Sequence, residues 1–130
     1  MNKQIIYLAS PYSHHSPAMR RWRYVQVCKV TARLMREGYL IYSPIVNSHP
    51  LTLYGLPTDW EYWRAMDEAM LRRCDALVVL KLPDWEQSQG VAAEIALARE
   101  LGLRIDFVAP KWEEVNDGNQ QPEQGEAWRA

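Results

Sequence analysis

Residues 4–17 read QIIYLASPYSHHSP, and the fold is decided there. Residues 4–9 are an almost unbroken apolar run, short and without the in-and-out alternation of a half-exposed strand. That pattern belongs to a strand buried on both faces, the kind found in parallel sheets. A polar loop follows over residues 10–16. Ser16-Pro17 then supplies a capping hydroxyl and a proline at the first helical position, so a helix begins there. Its apolar stripe runs through Tyr24, Val25, Cys28, Ala32 and Met35, and Gly38 stops it.

Outward from that unit the alternation repeats. Residues 39–44 (YLIYSP) form a second strand, cut off by Pro44. Residues 45–58 contain Pro50, Gly55 and Pro57 and are expected to be irregular. Thr58 or Asp59 caps a helix that runs to about Arg73. Residues 75–82 (DALVVLKL) make a third strand, 83–90 a loop, 89–101 a helix closed by Gly102, and 104–109 (RIDFVA) a fourth strand. One domain over residues 4–110 is expected, with a polar tail over 111–130 that frays.

Strands alternating with helices require right-handed crossovers onto a parallel sheet. The expected fold class is α/β, a flavodoxin-like three-layer sandwich with a four- to five-stranded parallel sheet in the order 2-1-3-4. In that order strands 1 and 3 are neighbours, but the helices that follow them leave to opposite faces. The loops 10–16 (SPYSHHS) and 83–90 (PDWEQSQG) therefore part, and a crevice opens at the carboxyl end of the sheet.

Composition narrows what the crevice can serve. The chain has 130 residues and a formal net charge of −1, so nothing marks it for a polyanion; only Arg20, Arg21 and Arg23 approach a basic stripe. No nucleic acid polymer is expected as partner. The N-terminus has no signal-peptide layout and no apolar run is long enough to span a bilayer, so a cytoplasmic protein without membrane contact is expected. Cys28 and Cys74 are both expected within helices, which argues against a disulfide framework. Six Trp and seven Tyr stand against one Phe. Aromatics with a polar atom suit wet pocket walls and subunit interfaces, and a homo-oligomer, a dimer or higher, is expected.

Two carboxylates break the patterning. On the helix after Asp59 the stripe Trp60, Trp63, Met70, Leu71 and Cys74 has Asp67 in its middle. A carboxylate on a core-facing stripe is costly unless it is paired, so Asp67 is either a buried ion partner or a group aimed into the crevice. Glu94 stands on the buried face of its helix beside Val91 and Ala98, and the positive end of the helix dipole is expected to keep it ionised. An ionised, held carboxylate is what a carboxylate nucleophile requires. Ser88 is either a plain cap of that helix or, with Gly90 letting a ligand come near the backbone and free N–H groups pointing outward, part of an anion site. Tyr7, in mid-strand, needs a partner for its hydroxyl. His14 and His15 share a loop and His49 lies elsewhere, with no metal-ligand spacing among them, and no phosphate-binding glycine motif occurs; no metal and no cofactor are expected.

YLASPYS at the first strand, Asp67 eight residues before Asp75, and S-x-G-V-x-x-E over 88–94 together resemble the nucleoside 2-deoxyribosyltransferase superfamily, which includes the 2′-deoxynucleoside 5′-phosphate N-hydrolases. SPYSHHS, SPIVNSH and DWEQSQGVAAE look more like a bacterial and phage branch of it. The resemblance implies N-glycosidic cleavage or transfer on a nucleoside 5′-monophosphate. Within it Glu94 matches the nucleophile, Tyr7 the tyrosine that holds it, and Asp67 the carboxylate that handles the base or the sugar hydroxyls. Ser88 matches a residue that meets the 5′-phosphate. Ser10, Pro11, Tyr12, Ser13, His14, Ser88, Gly90 and Val91 are the expected substrate contacts. A nucleotide-binding or sensing module without turnover is the alternative, and an interaction protein using its Trp-rich helix is a further one.

Overall fold

In the computed structural model, which describes residues 3–111, the chain runs β1 (Ile5–Ala9), α1 (Pro17–Arg36), β2 (Leu40–Tyr42), α2 (Pro44–Thr52), α3 (Trp60–Leu71), β3 (Ala76–Leu80), α4 (Gln89–Glu100) and β4 (Arg104–Val108). Of the polar tail expected over 111–130, all but Lys111 lies outside the described residues. Four strands form one parallel sheet in the order β2-β1-β3-β4, as the crossover argument requires. Tyr7 of β1 registers with Tyr42 on one side and Leu77 on the other.

The pleat sends alternate residues of the central strands to two different cores. Tyr7, Ala9, Leu77 and Val79 pack with Leu71, Val91, Leu97 and Ala98 under α3 and α4. Leu8 and Leu80 pack with Met19, Trp22, Val27, Val30 and Ile45 under α1 and α2. Burying each such side chain stabilises the fold by about 1.5–3 kcal/mol, and this two-sided burial is why β1 and β3 read as continuous apolar runs. Ser16 caps α1, its Oγ accepting the Met19 N–H at 3.3 Å with Pro17 at the first position. Gly38 ends the turn after α1 with φ 100°, a conformation that favours glycine.

The expectation of an irregular stretch over 45–58 is corrected: α2 occupies its first part. Pro44 terminates the strand, but it is also the first residue of the next helix, and Ser43 Oγ caps that helix by accepting the Val46 N–H at 3.2 Å. Pro50 sits inside α2, where its missing N–H and its ring oppose a longer helix, and α2 ends two residues later at Thr52. Cys74 lies just past α3 rather than within it, and both cysteines are free thiols. Among the described residues no helix is long and apolar enough to cross a membrane.

Because Ser43 is the buried hinge between β2 and α2, Ser43→Ala should destabilise the fold by about 1 kcal/mol through the lost cap. Urea unfolding of the two proteins checks this, and an unchanged midpoint would mean the hydroxyl carries no capping energy.

Candidate active site

At the carboxyl end of the sheet, α1 and α4 leave the adjacent strands β1 and β3 on opposite faces, and a cavity of about 320 Å³ opens between the departing loops. The β1 loop contributes Ser10, Tyr12 and Ser13, and the start of α4 contributes Ser88, Gln89 and Gly90. Glu94 enters from one turn further along α4. A third wall comes from α2, with Ile45 and Ser48, and from α3, with Thr58, Asp59, Trp60, Glu61, Trp63 and Asp67.

The two anomalous carboxyls meet in this cavity. Glu94 is 5% exposed and Asp67 6% exposed, and each forms part of its wall. Tyr7 reaches up from the floor of the sheet, and its hydroxyl donates to Glu94 Oε2. Asp67 has no hydrogen-bond or ion-pair partner among the described residues, so it is no member of a structural ion pair. Burial pushes its carboxyl up to about 7. Glu94 rises to about 8, first through burial and also through the nearby Asp67 charge, while the Tyr7 hydroxyl pulls the other way. The expectation that the helix dipole keeps Glu94 ionised is thereby corrected, because desolvation outweighs it. Tyr7 itself is raised well above the ordinary tyrosine range, first by burial and then by Glu94 and Asp67, so it stays protonated and serves as a donor.

Further polar atoms wait around the pair. Ser10 Oγ and the Tyr42 hydroxyl are buried with no hydrogen-bond partner among the described residues. Ser10 is part of the cavity wall, and Tyr42 packs its ring on Tyr7 at 5.7 Å between centroids. The β1 loop is clamped from below by Arg23, whose Nη1 donates to the carbonyls of Ser13 at 3.0 Å and Tyr12 at 3.3 Å. The basic cluster noticed in the sequence thus turns partly inward: Arg23 is buried, and Arg20 donates to the His14 carbonyl. Ser13 Oγ in turn donates to the Thr58 carbonyl at 3.1 Å, tying the loop to the start of α3.

Of the residues expected to touch a ligand, Ser10, Tyr12, Ser13, Ser88 and Gly90 line the cavity together with Asp67 and Glu94. Pro11 and Val91 are buried in the fold. His14 is not in the wall; it stacks on His15 at 4.3 Å, and its Nδ1 accepts the Ser16 N–H. His49 is buried behind the wall, 2.7 Å from the Tyr12 hydroxyl and stacked on Tyr24. No group of three or more His, Cys, Asp or Glu suited to a metal occurs among the described residues. Gly90 serves a neighbour as well as the cavity: a Cβ there would sit 3.4 Å from the Trp60 ring. Trp60 and Trp63, legible as an apolar stripe along the crevice though not named as ligand contacts, both line the cavity, and Trp63 is fixed by its indole N–H donating to the Pro57 carbonyl at 2.8 Å.

The fold defined by this sheet order is shared with a solved enzyme. A 2-deoxyribosyltransferase from the psychrotolerant bacterium Bacillus psychrosaccharolyticus, described as a biocatalyst for nucleoside synthesis, superimposes with a TM-score of 0.56 at 24% identity, over 86% of this chain and 77% of that one. The architecture is therefore the nucleoside 2-deoxyribosyltransferase fold. Within it, the chain belongs to the family described as Domain of unknown function (DUF1937), whose model matches residues 4–109. No curated protein matches by sequence.

The buried carboxyls leave a signature in stability. Both titrate above the unfolded carboxyl range near 4, so the folded chain holds protons that the unfolded chain has released. That contribution is complete below about pH 4 and is lost as pH rises through about 7 for Asp67 and about 8 for Glu94. The melting temperature should fall as pH is raised across this window. Asp67→Asn should melt higher than the wild type at the upper end and show a shallower fall. Parallel curves for the two proteins would contradict an uncompensated carboxyl at position 67.

Proposed function

We propose that this protein breaks or transfers the N-glycosidic bond of a nucleoside or nucleoside 5′-monophosphate, with Glu94 as nucleophile and Asp67 as the acid facing the leaving base. The observation that carries this reading is the pair of buried carboxyls on one nucleoside-sized cavity, one of them gripped by Tyr7. The shared fold supports it. Such a pair titrates as a unit, and the productive tautomer of its singly protonated form has Glu94 ionised against the Tyr7 donor and Asp67 carrying the proton, so the proton that burial holds on Glu94 must move to Asp67 before attack.

In that state a Glu94 oxygen bonds to C1′ as the C1′–N bond breaks, and the electron pair goes to the base nitrogen, which Asp67 protonates. Water or a second base then attacks C1′, the ester bond returns its electrons to Glu94, and the proton released goes to Asp67. Configuration is retained, as in double-displacement glycosidases. No metal or organic cofactor enters this scheme. Ser88, which caps α4 by accepting the Val91 N–H at 3.2 Å, still has its own O–H free to meet the 5′ end of the sugar.

Glu94→Gln keeps the shape and removes the nucleophile, so base release should fall by several orders of magnitude in a protein that stays folded and melts no lower than the wild type at neutral pH. Ser88→Ala should weaken phosphorylated ligands by about 1–3 kcal/mol and spare free nucleosides. Chromatography of released base across a nucleoside and nucleotide panel checks both. Wild-type protein inert on the whole panel would leave a binding module as the better account, and an active Glu94→Gln would remove the covalent path.

We further propose a homo-oligomer, on different residues from those the sequence offered. Trp22 is absorbed by the core and Trp60 and Trp63 by the cavity wall, but Leu53 and Tyr54 stand 72% and 88% exposed just after α2, with Tyr62 and Met66 exposed on α3. Sedimentation should find a dimer or larger at tens of micromolar, and Tyr54→Asp should weaken it. A monomer at that concentration would refute the assembly.

A further inference from the structure

Resting on the glycosyl-transfer reading, we infer that the base recognised in this cavity carries a positive charge, as in a pyridinium or an N-alkylated purine nucleoside. The charge inventory of the wall carries the argument. Asp59, Glu61, Asp67 and Glu94 all line the cavity, and no Lys or Arg is among its described lining residues. Trp60 and Trp63, on the first turn of α3, line the same cavity. A wall of carboxylates and indoles favours a flat cation over a neutral ring of the same shape, through both charge and the negative face of the aromatic system. An uncharged base gains nothing from that potential.

A separate observation points to a ligand at this place. Ser10 is 5% exposed, lines the cavity, and its Oγ has no partner. A buried hydroxyl without a partner is costly, and a ligand donor or acceptor placed against it removes the cost.

The charge also changes what the leaving group needs. When the C1′–N bond of a cationic base breaks, the electron pair cancels the ring's own charge and the base leaves neutral without taking a proton. A Glu94 oxygen forms the new bond to C1′, and water later displaces it, its oxygen bonding to C1′ and its proton going to Asp67. In the first step Asp67 would act as a counter-charge rather than as an acid. Around that charge lie Tyr7 from β1, Tyr42 from β2, Cys74 after α3 and Glu94 from α4, with Asp59 and Glu61 at the rim and His49 of α2 behind Tyr12. Burial lifts Tyr42 to about 12 and Cys74 to about 11, so both stay neutral up to pH 8.5 and the negative charge comes from the carboxyls, the buried pair gaining theirs as pH rises through about 7 and 8.

The test is calorimetric binding of two analogues that cannot be cleaved. One is the carbocyclic form of nicotinamide riboside, with a pyridinium charge fixed at every pH; the other is benzamide riboside in the same carbocyclic form, its uncharged isostere. At pH 8.5 the cationic analogue should bind about tenfold tighter or better. At pH 6 the preference should shrink as Asp67 and Glu94 take up protons, and binding the cation should release protons to the buffer. Glu61→Gln, on the exposed rim, should reduce the preference without affecting the fold, and Trp60→Leu should reduce it further. Equal or tighter binding of benzamide riboside at pH 8.5, or a preference indifferent to pH, would overturn the inference. Cleavage of neutral nucleosides with no cation preference would leave the glycosyl-transfer reading standing alone. Cation preference with no base released from any nucleoside would sink that reading and keep this one.

Discussion

A hydrogen bond inside the hydrophobic layer organises this molecule. Tyr7 lies in the middle of β1, between β2 and β3, and its hydroxyl meets Glu94 from α4. A carboxyl taken that deep is costly without a donor, and a tyrosine hydroxyl there is costly without an acceptor. Each group makes the other tolerable. The bond also fixes the height of α4 above the sheet, and with it the position of Ser88 and of the Gly90 backbone against Trp60. Asp67 has no such compensation, and its raised titration is the visible cost.

Period and capping made most of the architecture legible before any coordinates. Unbroken apolar runs identified β1 and β3, and Ser16-Pro17, Asp59 and Ser88 marked three helix starts at the residues that cap them. Asp67 and Glu94 were visible for the same reason: a charged residue in phase with an apolar stripe is an exception that helical geometry turns into a location. What stayed hidden depends on two elements at once. Pro44 both ends a strand and begins a helix, and a one-dimensional reading gave it only the first role. The contact of Trp60 with Gly90 joins residues thirty positions apart, and no local pattern announces it. The charge state of Glu94 was misjudged because the dipole is a property of its own helix, whereas burial is a property of everything packed around it.

The site collects several of the locally unfavourable features of the described fold: two buried carboxyls, an unpartnered serine hydroxyl and an unpartnered tyrosine hydroxyl. They lie in or beside one cavity, while the layers beneath are ordinary Leu, Val and Ala packing. Such a gathering of local conflict at one cavity is expected where a stable framework supports a reactive surface. The fold and the site therefore draw on different parts of the sequence, which is why substitutions at the pair can be expected to separate stability from chemistry.

The clamp under the first loop bears on how fast and how firmly anything can bind. Arg23 holds the carbonyls of Tyr12 and Ser13 from below, and Ser13 is tied sideways to the carbonyl of Thr58. Two walls of the cavity are thus one rigid piece before a ligand arrives. A visitor has few rotamers to freeze and little chain to order, so less of its contact energy is lost to entropy. Recognition on such a surface is governed by complementarity of shape and charge at first encounter, and closely similar molecules are told apart by how quickly they leave.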